Sequence, residues 1–150
     1  MNIIVDSCFW IALYDPSDND YVWANKKWEE LKVGNKFLVP HPTMYEFINT
    51  KLMGKKEKVE MFRVLFSKRD LITRISDEEY KEDALQIALQ PSKRTISLVD
   101  MTIRLMLEDD KIKKQAMLTL NVGDFVDVCR RKRIEMISNY GECRKIILQL

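Results

Sequence analysis

A chain of 150 residues, nearly half of them apolar, holds enough apolar side chain for one core of ordinary domain size. Four Gly and four Pro are too few for a linker or a disordered tail, and a net charge of +2 does not by itself mark a nucleic-acid binder. Three cysteines (Cys8, Cys129 and Cys143) without a CxxC pair, and a single histidine, His41, exclude the usual Cys/His zinc site and suit a reducing, cytoplasmic setting.

Met1 leads directly into Asn2-Ile3-Ile4-Val5, with no basic stretch ahead of an apolar run, and no segment is long and apolar enough to span a bilayer. The expectation is a protein neither exported nor embedded. Residues 3–5 form a short unbroken apolar run, the pattern of a strand covered on both faces, and Asp6 closes it. Helical spacing follows over 8–14 until Asp15-Pro16-Ser17-Asp18 breaks the chain. A second helix is expected over 20–32 and a second strand over 36–39, closed by Pro40 and Pro42. Residues 43–53 read as a helix stopped by Gly54, 56–67 as another, and 70–75 as a weakly alternating strand. Ser76 and Glu79 fit a capping box opening a helix to about 89, and Ser97 with Asp100 repeats it for a helix to about 109. Residues 116–120 are a strand candidate, 124–130 a short helix and 134–137 a final strand. Strands alternating with helices predict a single α/β domain with a mainly parallel sheet.

Four acids stand at informative places in that pattern. Ligands of open parallel sheets bind beyond the carboxyl ends of the strands, and Asp6 sits at such an end; it could equally cap the next helix. Glu46 lies among Met44, Tyr45, Phe47 and Ile48, where an unpaired carboxylate is expensive; an exposed first-turn Glu is the alternative. Asp100 falls near the apolar side of its helix (Val99, Ile103, Met106, Leu107), or it only closes the capping box with Ser97. Asn121 and Asp124 follow a strand and can reach the same crevice or serve as turn and cap residues. Together, acids without His or Cys suit hard divalent cations, Mg²⁺ or Mn²⁺, and such clusters serve phosphodiester cleavage.

On these residues the chain resembles the PIN-domain family, and within it the VapC-type toxins of toxin–antitoxin systems. The matching segments are Ile4-Val5-Asp6-Ser7, Glu46 within Thr43-Met44-Tyr45-Glu46-Phe47, Ser97-Leu98-Val99-Asp100, and Thr119-Leu120-Asn121-Val122-Gly123-Asp124-Phe125, in register along almost the whole chain. The resemblance implies a three-layer α/β/α PIN-like fold and Mg²⁺- or Mn²⁺-dependent endonuclease cleavage of single-stranded RNA. It implies that Asp6, Glu46 and Asp100 are the invariant acids and Asp124 the fourth, with Ser7, Thr119 and Asn121 orienting them. It also implies a separately encoded antitoxin partner and a homodimer. The chain departs from many relatives at Val122, where they carry an Asp.

Arg130-Arg131-Lys132-Arg133 is the densest basic run and a candidate RNA-binding segment, single-stranded or structured; Lys51, Lys55, Lys56 and Lys58 are a looser group. Trp10, Trp23 and Trp28 fall at helical positions and read as core or dimer interface, and His41 before Pro42 reads as a loop histidine. A phosphoryl-transfer enzyme with an aspartyl nucleophile also begins with strand then Asp. The haloacid-dehalogenase-like arrangement wants a second Asp two residues on, where this chain has Cys8. The remaining alternative is a PIN-like module that binds RNA or protein without cutting, and Val122 is its support.

Overall fold

An apolar run with no polar side chain to show to water belongs inside a sheet, and Ile3, Ile4 and Val5 are completely buried at its centre. The computed structural model describes residues 1–91 and 95–140. In it β1 (Asn2–Val5) pairs in parallel with β2 (Lys36–Pro40) on one side and β4 (Ala116–Leu118) on the other. With β3 (Ile72–Ile75) and β5 (Glu135–Ile137) the sheet has the order β3-β2-β1-β4-β5, parallel throughout. Every strand therefore ends at the same edge, and the connections cross over through helices.

Side chains alternate across a strand, and here the alternation sorts two cores. Ile3 and Val5 face a layer containing Phe9 and Trp10 of α1 (Ser7–Tyr14), Ala24 of α2 (Tyr21–Leu31), Phe47 of α3 (His41–Ile48) and Phe62 of α4 (Lys56–Phe66). Ile4 faces the other layer, with Ile103 and Leu107 of α6 (Leu98–Glu108) and Phe125 and Val128 of α7 (Val122–Lys132). The short α5 (Lys81–Ala88) packs on α6. This is the expected three-layer α/β/α arrangement. Trp10 is buried among the rings of Trp28, Phe37 and Phe66, while Trp23 and Trp28 pack against that core from its rim.

Three local expectations are corrected. The helix expected over 43–53 begins earlier, at His41, and ends at Ile48. Thr50 turns extended (φ −80, ψ 159), its hydroxyl donates to the Phe47 carbonyl, and a 3-10 turn, Lys51–Gly54, follows. Ser76 does not open a helix. Its hydroxyl accepts from the Glu78 amide at 3.2 Å in a local turn, and α5 starts at Lys81. The strand expected over 116–120 stops at Leu118: the Thr119 amide still donates to the Ile137 carbonyl, but the Leu120 amide turns to the Cys8 sulfur. Cys143, read from sequence with the other two cysteines, lies outside the described residues; Cys8 is a free thiol, and Cys129 is buried with its sulfur 3.9 Å from that of Met117. Among the described residues no helix is long and apolar enough to cross a membrane.

Candidate active site

The end of β1 delivers Asp6 to the carboxyl edge of the sheet with 3% of its surface exposed. Its Oδ1 accepts the Ser7 amide at 2.7 Å, which makes it the N-cap of α1. Oδ2 accepts the Thr119 hydroxyl at 2.9 Å and the Cys8 thiol at 3.1 Å. The capping expectation is met by Oδ1, while Oδ2 is held by Thr119 and Cys8. Burial pushes its carboxyl above the ordinary range, against the lowering pull of these hydrogen bonds. Thr119 is itself fixed, since its hydroxyl oxygen accepts the Asn121 amide at 2.9 Å.

Glu46 stands in the second turn of α3, half-buried, and accepts the Ser7 hydroxyl. The same hydroxyl lies 3.4 Å from Asp6 Oδ1, so Ser7 bridges two acids from different elements. Burial raises the Glu46 carboxyl, the Ser7 bond lowers it, and the negative charge of Asp6 raises it again.

Asp100 occupies the third position of α6. Ser97 accepts its amide at 3.1 Å and donates its own hydroxyl to Asp100 Oδ2 at 2.7 Å. The capping pair is thus reciprocal, but through the serine hydroxyl rather than the serine amide. Asp100 is pushed up to about 6, by burial first and then by the like charges of Asp6, Asp124 and Glu46, with the Ser97 bond opposing. Asp100 thus feels acids carried by α3, by α7 and by the residue that follows β1, and Glu46 in turn feels Asp6.

Asp124 is not the cap of its helix. Asn121 holds that position without a side-chain capping bond, Val122 is the first helical residue, and Asp124 lies in the first turn. The Asn121 side-chain amide donates to Asp124 Oδ2 and fixes the carboxylate.

Two contributors escape a reading of the sequence. Cys8 was a mark against the aspartyl-nucleophile alternative, yet its thiol donates to Asp6 while its sulfur accepts the Leu120 amide at 3.2 Å. Burial, then the charge of Asp6, pushes that thiol well above its usual range, so it stays protonated. Arg104, one turn beyond Asp100, grips Asp127 through two bonds of 2.7 and 2.6 Å and also donates to the Asp124 carbonyl. Its side chain is 16% exposed, and it holds Asp127 far below the usual carboxylate range. Arg104 thereby ties the two acid-bearing helices together. The ion pair joins residues 23 apart in sequence on separate helices, so no spacing along one element announces it.

The basic run does not join the acids. Arg130, Arg131 and Lys132 fall in the last turn of α7, and Arg133 closes the helix in the left-handed conformation (φ 55). From Asp124 to Arg131 the helix axis advances about 10 Å. Arg131 pairs with Glu108, and Lys132 with Asp110 at 2.5 Å. Of the looser lysines, Lys55 and Lys58 add small pulls on the Asp15 carboxyl, which the Ser17 hydroxyl and amide hold below the ordinary range.

The fold is similar to that of VapC20 from Mycobacterium tuberculosis, described as a sarcin-ricin loop cleaving toxin, with a TM-score of 0.60 over 77% of this chain and 86% of that one at 20% identity. The fold is PIN-like. A second solved structure, VapBC2 from Rickettsia felis bound to a DNA fragment from its promoter, aligns over 92% of this chain and 98% of that one, with a TM-score of 0.48 and 11% identity. No family model and no curated protein matches the chain in sequence. In this PIN-like domain Asp100 and the acids that act on it offer oxygen atoms of like charge, the donor chemistry that hard divalent cations prefer. Among the described residues no group of three or more His, Cys, Asp or Glu is placed so that it could hold a metal ion.

Proposed function

We propose that this PIN-like domain is a Mg²⁺- or Mn²⁺-dependent endoribonuclease of the VapC type, cutting phosphodiester bonds of single-stranded or structured RNA. The observation that supports this reading most is that Asp100 feels the like charges of Asp6, Asp124 and Glu46 at one end of an all-parallel sheet, with the Asp6, Glu46 and Asp100 carboxyls all raised, burial first. Acids that repel one another in a crevice lower their energy by gathering a cation there. Asp6, Glu46, Asp100 and Asp124 would hold it, and when bound such an ion supplies Lewis-acid polarisation of the phosphate and a lower pKa for attacking water.

The chain's own residues account for the rest. Thr119, Cys8 and the Ser7 amide hold Asp6 in one rotamer, Ser7 sets Glu46 against it, and Ser97 and Asn121 orient Asp100 and Asp124. A carboxylate whose lone pairs are partly engaged keeps its remaining lone pairs aimed outward, toward the mouth of the crevice. By resemblance, a separately encoded antitoxin, a homodimer and a cytoplasmic location belong to the same proposal.

The test is cleavage of an end-labelled single-stranded RNA with Mg²⁺, with chelator, and with Asp6→Asn. Cleavage that needs the metal and falls about a hundredfold or more in the variant is the expected result. RNA that is bound with Mg²⁺ present but left intact would favour the non-cutting alternative.

A further inference from the structure

Beside α3, on the side away from β1, lies a groove of about 690 Å³ between that helix, the end of β3 and the start of α5. Its walls include His41 and Tyr45, Arg74, and Asp77, Glu78 and Lys81. His41 and Tyr45 are one turn apart on α3, and their rings meet edge to face, centroids 5.3 Å apart at 84°. Tyr45 is 59% exposed, while Phe47 on the same helix is 2% exposed. A ring left in water contributes little to folding; held at its edge by a neighbouring ring, it offers a fixed flat surface. Tyr45 and Glu46 are successive residues of α3, so their side chains leave the helix about 100° apart, one toward this groove and the other toward Ser7.

The charges of the groove are not equivalent. Lys81 is paired with Glu78 at 2.8 Å. Among the described residues the exposed Arg74 guanidinium has no carboxylate partner. One free guanidinium matches one phosphate. A run of phosphates would instead meet the carboxylates of Asp77 and Glu78. Asp77 suits the amino edge of a base, since carboxylates accept from exocyclic amino groups. A groove of this size also falls in the range of small-ligand sites, which suits one nucleotide rather than a duplex.

We propose that this groove is a nucleotide subsite, taking one unstacked nucleotide of the RNA next to the bond that is cut, with its base on Tyr45 and its phosphate at Arg74. The proposal rests on the ribonuclease reading above and adds to it which side of the acids the strand enters. It also predicts preference for single-stranded RNA, because a paired base cannot reach the tyrosine face.

Fluorescence anisotropy of a labelled single-stranded RNA 12-mer, with chelator present to prevent cleavage, tests it on the full chain. Tyr45→Ala should weaken binding on the order of tenfold, and Tyr45→Trp should restore it. Arg74→Ala should lower the slope of log Kd against log salt by about 0.7, the share of one phosphate contact on a single strand, and Arg74→Lys should recover the slope. Both side chains are exposed, so an unchanged melting temperature should accompany each variant. Wild-type binding that neither alanine variant alters, in affinity or in slope, would overturn the subsite while leaving the nuclease reading standing. A wild-type protein that neither binds nor cuts RNA with Mg²⁺ present would overturn both.

Discussion

The two ends of α7 carry clustered charge of the sign its backbone dipole favours, acid in the first turn and base in the last, but their surroundings differ. At the first turn Asp124 is held by Asn121 and acts on Asp100 across the crevice, at the carboxyl edge of the sheet. At the last turn Arg131 and Lys132 are met by Glu108 and Asp110, and Arg133 is occupied with closing the helix. Both clusters satisfy the same local rule. What separates them is the sheet edge each one faces, and that is fixed by the direction of β4 rather than by anything within the helix.

Removing the charge at each end is the most direct way to break this contrast. Asp124→Ser should reduce Mg²⁺-dependent RNA cleavage on the order of tenfold to a hundredfold, because a hydroxyl in the first turn keeps helix-favouring polarity but cannot hold a cation. The double change Arg131→Ala with Lys132→Ala should alter cleavage of the same RNA only a few-fold, since both charges are already compensated. Equal losses in a side-by-side cleavage assay would show that the two ends are not functionally distinct.

A smaller effect is expected at the tie between the helices. Arg104→Ala frees Asp127 and the Asp124 carbonyl together. It should cost about 1 kcal/mol of stability, the Asp127 end being open to solvent, and weaken Mg²⁺ binding measured by calorimetry. A variant that melts lower but binds Mg²⁺ unchanged would reduce Arg104 to a purely structural tie.

The smallest effect concerns the free protein and pH. Asp100 is raised to about 6 in the fold against an ordinary value of 3.8, so between those values the folded state holds the proton more tightly than the unfolded chain. Stability without divalent cation should therefore be greatest below about pH 4 as far as this group is concerned, and fall as pH rises through 6. The penalty at pH 7 is roughly 1 kcal/mol once solvent screening of a half-exposed group is allowed for. Asp100→Asn should raise the metal-free melting temperature at pH 7 by a few degrees and flatten its decline across that window. A lower melting temperature for the variant would mean that its bond with Ser97 outweighs the repulsion.

Elements whose apolar run or helical spacing is unambiguous were legible in the sequence, and so was the sheet they make. Residues 3–5, 36–39 and 134–137 read as strands because nothing in them competes, and β1, β2 and β5 stand there. Ends decided by a hydroxyl were not legible. Thr50 and Ser76 each spend their side chain on a neighbouring backbone group, one cutting α3 short and the other delaying α5, and either hydroxyl has several local partners on offer. Asp6, Glu46 and Asp100 could be named from their places in the strand–helix alternation, and the family resemblance chose Asp124 over Asn121; in the structure Asp100 feels the charges of the other three acids. Cys8 and Arg104 could not, because their partners lie on other elements and only the tertiary fold brings them near.

The bond from Thr119 to Asp6 joins residues 113 apart, and β1 needs β4, near the end of the chain, as its second neighbour. Synthesis proceeds from the amino end, so β1 waits in an incomplete sheet until β4 has been made. A polypeptide truncated before residue 119 carries Asp6, Glu46 and Asp100 yet lacks the hydroxyl that orients the first and the helix that brings Asp124. The order of synthesis thus leaves Asp6 without its Thr119 partner until residues 116–119 have been added.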